Sequence, residues 1–504
     1  IPEFLNFSEN TRYLYSSEFA GVLNFAYSFG ANKLTLKSLY TTVFRKNFIK
    51  RDSVFNPAVF DFPELGISGF AYRTEQRGLI NSILAGEHKT GRNKETQLDW
   101  NINVSTNNIN LPDTRNFLLS INEKGNYSFI NRGIGLEQSL ATSSRVWNKS
   151  KDLITGGAFN LSSVFNLFNV KQVVKGGILF QTRRRVSTGT GLVLEGINNF
   201  PLDSILAPSA YLRGVTIGSV GNALESSGNY NANTSLQAVY ESIENRIGKY
   251  TRVIWGVRFE NYQQSVNVFN LSFDPNFITP EYVPGVFASR TALDFLPSVN
   301  IIYSPLNTIN FRGAFSQTVI RPDLQDIAQY TRYDFQTFQL TGGNVNIKST
   351  NISNYDLKFE WFPSAGEIFS LSAFYKEMEN PIEYAQTTQE NVLVGNIAIN
   401  SGNTVVKGVE AEFRKRLNFI SFAKWMENVT LFGNAALIRS RVAATAVDAP
   451  FVSFSPEHRL SGQPDYILNG GISIAAFKKS FEATLSFNRT GDYVDDLGGS
   501  IFVP

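Results

Sequence analysis

Apolar and polar side chains alternate with a period of two through residues 355–376, and a Pro-Ser-Ala-Gly sequence interrupts the pattern at 363–366. Because successive side chains of a strand point to opposite faces, this pattern predicts a β-hairpin with one apolar and one polar face. The apolar face of the first strand carries Tyr355, Leu357, Phe359 and Trp361. One such hairpin is compatible with any antiparallel sheet that has a solvated face.

The same alternation recurs along the chain, whereas helical periodicity is rare. Short connections are predicted at 30–32, 304–308, 363–367 and 476–480, and longer irregular segments at 188–230, 262–292, 320–352, 379–406 and 440–464. Short turns at one end of a sheet and long loops at the other are typical of outer-membrane barrels. The predicted fold is therefore all-β: a large antiparallel transmembrane β-barrel of about 22 strands in the complete protein, represented here in part.

Composition narrows the class further. The chain has 504 residues, of which 42% are hydrophobic, and a mean hydropathy of −0.13. No window approaches 18 consecutive apolar residues, which excludes transmembrane helices, whereas the alternation of barrel strands dilutes hydropathy to this level. Cysteine is absent, which excludes disulfides and thiolate metal sites. The 46 basic and 43 acidic residues form no basic block that would indicate nucleic-acid binding.

Candidate chemistry is sparse, and we predict no catalytic residue, no metal ligand and no cofactor. The two histidines, His88 and His458, are far apart in the sequence and are interpreted as incidental surface or lumen residues. Gly189-Thr-Gly191 lacks the strand–helix context of a phosphate-binding loop. Arg183-Arg184-Arg185 follows a predicted strand and is interpreted as a polar rim or lumen wall.

Several short segments, in collinear order over most of the chain, resemble the barrel of Bacteroidetes-type TonB-dependent outer-membrane receptors. The segments are Leu84-Ala-Gly-Glu-His88, Leu98-Asp-Trp100, Leu111-Pro-Asp-Thr-Arg115, Val174-Lys-Gly-Gly177, Gly256-Val-Arg-Phe-Glu260, Phe295-Leu-Pro-Ser-Val-Asn300, Phe311-Arg312 with Ser316, Arg321-Pro322, Asn354-Tyr-Asp-Leu357, Phe374-Tyr-Lys376, Asn380-Pro-Ile-Glu383, Gly408-Val-Glu-Ala-Glu-Phe413, Gly462-Gln-Pro-Asp-Tyr466 and Asn488-Arg-Thr-Gly491. Each fragment alone is weak, but their common order is specific.

The resemblance implies a multi-pass barrel in the bacterial outer membrane that imports a scarce nutrient too large for porins, such as a siderophore, glycan, peptide or cofactor. It implies as partners outer-membrane lipid, TonB through an N-terminal segment, the receptor's own plug domain, and a surface lipoprotein or other outer-membrane subunits, but no nucleic acid. Residues 1–504 are expected to form one barrel domain. The plug and the last C-terminal strands are expected to lie outside it.

Charged residues on the polar faces of the predicted strands are candidates for lining the lumen. These are Arg312, Asp356, Lys358, Glu360, Glu410, Glu412 and Arg414. They would hydrogen-bond to one another or to the plug, or else contact a passing substrate.

Ligand capture is expected in the long loops. Segment 325–341 offers Tyr330, Tyr333, Phe335 and Phe338 among polar residues, a composition suited to sugars or aromatic chelates. The alternative is a loop that packs on its neighbours, and segments 262–290 and 386–404 are equally plausible sites.

Two other functions remain open at this point. A receptor-like barrel could be a structural or scaffold subunit of a larger outer-membrane complex. A soluble all-β hydrolase or adhesin would need apolar interior faces and paired catalytic carboxylates, and the segregation of loop lengths argues against it.

Overall fold

The structure is a computed structural model. It describes residues 6–55, 67–91, 95–121, 127–129, 144–167, 170–195, 216–217, 228–272, 281–328, 332–334, 339–389, 392–420, 423–443, 457–476 and 480–494. Helix in these ranges is limited to α1 (Leu324–Ile327) and a 3-10 helix at Lys424–Asn428. None of the helices in these ranges has the length and apolar character needed to cross a membrane.

Strands make up almost all of the regular structure. In chain order they are β1 (Asn6–Phe29), β2 (Asn32–Phe55), β3 (Ile67–Thr90), β4 (Thr96–Ile121), β5 (Tyr127–Phe129), β6 (Ser144–Leu167), β7 (Val170–Glu195), β8 (Thr216–Ile217), β9 (Tyr230–Ile247), β10 (Thr251–Ser272), β11 (Glu281–Leu306), β12 (Ile309–Ile320), β13 (Arg332–Asp334), β14 (Gln339–Gly342), β15 (Thr350–Trp361), β16 (Ile368–Glu379), β17 (Ile382–Gln389), β18 (Val392–Asn400), β19 (Thr404–Arg416), β20 (Val429–Ala443), β21 (Glu457–His458), β22 (Tyr466–Ala476) and β23 (Phe481–Thr490). Nineteen of them join in one sheet, and β13, β14, β17 and β18 form a smaller sheet.

The large sheet has up-and-down antiparallel order, because each long strand pairs with the next long strand along the chain. At one end the strands are joined through 30–31, 91–95, 168–169, 248–250, 307–308, 362–367, 417–428 and 477–480. At the other they are joined through 56–66, 122–143, 196–229, 273–280, 321–349, 380–403 and 444–465. The predicted all-β fold and the alternation of shorter and longer connections are confirmed. We call these the short-connection and long-connection ends.

The two faces of the large sheet differ in polarity. On β15, Leu357 is 67% exposed and Trp361 is 44% exposed, whereas Glu360 on the opposite face is 7% exposed. Aromatic rings pair between strands on the apolar face, with ring centroids 5.3 Å apart for Phe311 and Phe359. We call this apolar face the outer face. The inner face is the one on which α1 packs.

The predicted irregular segments are wrong in part, because the strands continue into them. β7 runs to Glu195 and β10 to Ser272, inside the predicted loops 188–230 and 262–292. Segment 379–406 contains β17 and β18. Beyond the lipid-facing part of a strand, the sequence need not alternate between apolar and polar residues. The backbone hydrogen bonds of the sheet nevertheless continue, so the strand extends further than the alternation predicts.

Candidate ligand entrance at the long-connection end

Folded segments of the long connections cover the inner face at the long-connection end. Leu324 and Ile327 of α1 are each 1% exposed and pack in one apolar cluster with Tyr230 of β9 and Val266 of β10. Asp323 caps the helix, because its Oδ1 accepts a hydrogen bond from the Gln325 backbone N–H at 2.9 Å. Helix α1 of connection 321–349 therefore lies against the inside of the sheet.

The small sheet joins two long connections into one unit. β14 from connection 321–349 pairs in parallel with β18 from connection 380–403. The Asn400 side-chain amide donates to the Lys348 carbonyl at 3.0 Å and to the Asn380 carbonyl at 2.9 Å, and that of Asn344 donates to the Ala398 carbonyl at 3.0 Å. Because buried amides that find partners stabilise a single arrangement, this unit holds its shape over the interior. We call it the mouth unit.

A cluster around Arg321 attaches the mouth unit to the inner face. Arg321 Nη2 donates a hydrogen bond to Glu260 Oε2 of β10 at 2.6 Å and also contacts the carboxylate of Asp294 on β11. Its guanidinium lies 4.4 Å from the centroid of the Tyr262 ring. Arg258 Nε donates to the other oxygen of Glu260 at 2.6 Å. Two cations and two carboxylates thus balance within the inner wall.

A second cluster forms around Asp152, which is 2% exposed on the inner face of β6. Arg183 Nη2 and Arg185 Nη2 each donate to Asp152 Oδ2 at 2.8 Å, and Arg185 Nη1 reaches Asp323 Oδ1 at 3.4 Å. The predicted polar wall thus contains Arg183 and Arg185. Arg184 instead lies on the outer face, because neighbouring residues of a strand point to opposite sides.

The seven charged residues predicted to line the lumen are on the inner-face side of their strands, but only three of them meet. Arg312 Nε lies 2.8 Å from Glu360 Oε2, and Lys358 Nζ lies 3.4 Å from Glu360 Oε1. Asp356, Glu410, Glu412 and Arg414 are exposed and lie outside this cluster. Contact of any of the seven with a plug or a substrate stays a prediction.

The four loop aromatics are largely outside the described residues. Tyr333 belongs to β13, where its backbone pairs with that of Leu340. Tyr330, Phe335 and Phe338 lie outside the described ranges, so their role as ligand contacts stays a prediction.

The two histidines, interpreted from the sequence as incidental surface or lumen residues, each make a side-chain hydrogen bond. His458 Nε2 lies 3.1 Å from Glu383 Oε2 of the mouth unit, and the Ser461 backbone N–H donates to Glu383 Oε1 at 2.9 Å. His88 Nε2 accepts a hydrogen bond from Trp100 Nε1 at 3.0 Å on the outer face. His458 joins two segments that are 75 residues apart in the sequence. His88 joins the neighbouring strands β3 and β4. The spacing of residues in the sequence reveals neither contact.

These contacts change the pKa of the Glu383 carboxyl group. Burial by itself raises its pKa, but hydrogen bonds from His458, Ser401 and the Ser461 backbone outweigh burial, so the pKa is lowered. Glu383 therefore carries its negative charge in the mouth unit at neutral pH. Across the described part of the chain, no three His, Cys, Asp or Glu side chains are grouped as a metal site.

Arg321, Glu260 and Asp294 were not singled out as site residues from the sequence. Arg321 and Glu260 do occur in the segments quoted for the family resemblance, which is the one signal that could have found them. What the sequence does not show is that these segments are neighbours in space.

Comparison with known proteins gives a consistent picture. The family model described as "TonB dependent receptor-like, beta-barrel" matches residues 27–504. No curated protein matches the chain by sequence.

Among solved structures, the chain is similar to the ferric-catecholate import receptor Fiu of E. coli K12, with a TM-score of 0.55 and 10% identity over 96% of this chain and 72% of that one. It is also similar to the ferric citrate transporter FecA, with a TM-score of 0.56 and 11% identity over 97% of this chain and 66% of that one. The hemophore receptor HasR of Serratia marcescens gives a TM-score of 0.55 and 9% identity over 95% and 73%. At these identities the likeness shows the fold, a large antiparallel β-barrel. The chain spans about two thirds to three quarters of those proteins.

Proposed function

The chain belongs to the TonB-dependent receptor-like β-barrel family, and from that premise we propose that it is the barrel of an active importer in the bacterial outer membrane. The long-connection end faces the outside of the cell and the short-connection end faces the periplasm, as in outer-membrane barrels generally. A scarce nutrient binds at the mouth, and a plug domain inside the barrel is pulled by TonB to open a path.

The observation that carries this proposal is the mouth unit. β14 of connection 321–349 pairs with β18 of connection 380–403, and Leu324, Ile327, Ile347 and Ala398 from these connections pack against the inner face. A solute that arrives from outside meets this ordered surface first. Fixed loops give a ligand contacts without the entropy cost of ordering them on binding, which suits a receptor for scarce solutes.

Side-chain contacts at this surface would determine which nutrient binds. We assign contact with the nutrient to Tyr330, Tyr333, Phe335 and Phe338, whose rings would stack on a sugar face or on an aromatic chelate. The related structures are named as receptors or transporters for ferric catecholate, ferric citrate and a heme-loaded hemophore. By analogy, a siderophore or another metal chelate is the first class to test, followed by glycans, peptides and cofactors. A Bacteroidetes-type receptor with a surface lipoprotein partner remains part of this proposal.

The test uses the full-length gene in its own host. Its deletion is expected to abolish growth on, and uptake of, one nutrient class when candidates are supplied one at a time. A Tyr330→Ser/Tyr333→Ser/Phe335→Ser/Phe338→Ser variant is expected to reach the membrane normally and to lose most of that uptake. Mass spectrometry of small molecules that co-purify with the native protein identifies the ligand directly.

The opposite result is equally clear. If growth and uptake are unchanged for every class while another outer-membrane complex disappears from the deletion strain, the protein is a scaffold subunit and not an importer.

A further inference from the structure

The large sheet forks between β11 and β12. β11 pairs with β10 along its whole length. It pairs with β12 only from Ser298, which is opposite Ser316, towards the short-connection end. Beyond Ser316, β12 continues beside β15 alone. Residues 287–297 of β11 therefore have a neighbouring strand on one side only, and we call this segment the open edge.

The backbone of the open edge presents hydrogen-bonding groups on its second side. Within the described part of the chain, its backbone hydrogen bonds are those of the β10–β11 ladder. Proline is tolerated in a sheet where its nitrogen faces away from the neighbouring strand, so Pro297 faces the open side. The direction of the backbone groups repeats every two residues. The residues that direct their N–H and C=O groups to the open side are therefore Ser289, Thr291, Leu293 and Phe295.

The open edge begins where β11 leaves the bilayer. The nine residues from Ser298 to Leu306 separate it from the short-connection end, and a tilted barrel strand needs about 9–11 residues to cross the hydrocarbon. An unpaired strand edge cannot face hydrocarbon, because no water is present there to satisfy its backbone groups. The pairing with β12 thus covers the part of β11 that crosses the membrane, and the open edge lies on the aqueous side.

The two faces of the open edge differ in polarity. On the outer face, Leu293 and Phe295 are 82% and 56% exposed. On the inner face, Asp294 contacts the guanidinium of Arg321, and Arg290 Nη2 donates to the backbone carbonyl of Val345. Because Arg321 directly follows β12, these contacts hold the chain behind β11 instead of beside it. The fork is thus fixed by side chains, and the open edge borders the mouth unit.

We propose that the open edge binds a peptide in an extended conformation, which adds a strand to the large sheet beside β11. Backbone groups that repeat about every 7 Å over several residues match another strand, whereas a compact solute could satisfy only one or two of them. Apolar residues of the peptide would lie beside Leu293 and Phe295, and polar residues beside Asp294. The inference rests on the outward orientation given under the proposed function, and it assigns a peptide to this edge whichever nutrient the loop aromatics bind.

The first test measures binding of a fluorescent peptide to the full-length receptor in a mild detergent. The peptide has about twelve residues, enough to cover the open edge, and alternates valine and threonine between terminal lysines. We expect saturable binding. The same peptide N-methylated at every valine and threonine keeps its side chains but lacks the N–H donors, and is expected to bind at least about tenfold more weakly. Because the assay involves no transport, its outcome is independent of whether the importer proposal holds.

A pair of variants separates the backbone from the side chain. Leu293→Pro removes one N–H group from the open side and is expected to weaken binding about tenfold. Leu293→Ala keeps that N–H group and is expected to weaken binding only about threefold. Equal losses in the two variants would mean that the side chain, and not the strand edge, binds the peptide.

Disulfide trapping gives the position and does not depend on how the proline variant folds. Residues 1–504 contain no cysteine, so Leu293→Cys introduces a single thiol among them. A peptide with a central cysteine activated as its thiopyridyl disulfide is expected to form a mixed disulfide there, with release of thiopyridone. Gln237→Cys is the matched control, because Gln237 is exposed in the same row of the outer face but its strand has neighbours on both sides.

Three results would each overturn the proposal. The first is the absence of saturable binding to the parent, which includes the case that another part of the protein already occupies the edge. The second is equal binding of the N-methylated peptide. The third is equal cross-linking of Leu293→Cys and Gln237→Cys.

Discussion

Arg321 donates a hydrogen bond of 2.6 Å to Glu260, a residue 61 positions earlier in the chain. Arg321 is the first residue of connection 321–349, and Glu260 lies on the inner face of β10. The ion pair therefore fixes the point at which the chain leaves the barrel wall and enters the mouth unit. Asp294 of β11 and Tyr262 of β10 also contact the same guanidinium, so two strands together determine its orientation.

Replacing Glu260 by glutamine is expected to loosen this attachment. The change leaves Arg321 and Arg258 with one fewer charged acceptor in a wall where Glu260 is 8% exposed, at a cost of about 2 kcal/mol. The measurement is the temperature at which the folded band converts to the unfolded band in detergent gels. Glu410→Gln, on the exposed inner face of β19, is the control and is expected to leave that temperature unchanged; an equal drop in both variants would contradict the assignment.

Acid is expected to release the mouth unit from segment 457–461. The pKa of Glu383 is lowered in the folded protein, so the stabilisation from its ionised form is complete above the ordinary carboxyl value of about 4.3. It is lost as pH falls below that value through the lower pKa of the folded state. The protection of the amides of residues 382–389 from hydrogen exchange, taken relative to the intrinsic exchange rate at each pH, should therefore fall in that acidic window.

Glu383→Gln provides the comparison for this prediction. It removes the titrating group, so the protection of residues 382–389, relative to the intrinsic exchange rate, should be low already at pH 7 and should depend much less on pH between 5 and 3. Asp356→Asn, on an exposed carboxylate of β15, should keep the parent profile. A parent-like pH profile in Glu383→Gln would assign the acid response to another group.

Gly86→Ala is expected to disturb the outer face next to the short-connection end. A Cβ at this position would overlap the Trp100 indole, and displacement of the ring breaks its 3.0 Å hydrogen bond to His88. The expected loss of stability is about 1–3 kcal/mol, as for other overpacked sites, with a shift in tryptophan fluorescence. Gly78→Ala is the matched control on the same strand and face, because nothing lies within 4 Å of its Cβ position.

Leu357→Arg is expected to impair insertion into lipid. Leu357 is 67% exposed on the outer face, and a cation on the lipid side of a barrel costs about 2–4 kcal/mol near the middle of the bilayer. Refolding yield into phosphatidylcholine vesicles measures the effect. Asp356→Arg adds the same side chain one residue away on the inner face and should refold as the parent does; equal yields for both variants would mean that Leu357 does not face lipid.

Several segments that support the family resemblance contain residues whose side chains contact neighbouring strands. Trp100 of one segment covers Gly86 of another and donates to His88. Lys376 Nζ donates to Asn354 Oδ1 at 2.8 Å, and a Cβ on Gly408 would overlap the Phe374 ring. Sequence reasoning recognised these residues as marks of a family, but it could not assign their contacts, because the contacts join segments on different strands.

The sequence by itself determined that this chain forms a β-barrel. In segments such as 355–361, apolar and polar residues alternate one by one, as they must in a strand with one face towards lipid and the other towards a polar interior. It also determined where most turns fall and that long and short connections alternate. Only the tertiary structure decided that Arg321 meets Glu260, that His458 holds Glu383, and that two long connections fold into one mouth unit. These contacts depend on strand register and on loops returning to the interior, and local periodicity carries no information about either.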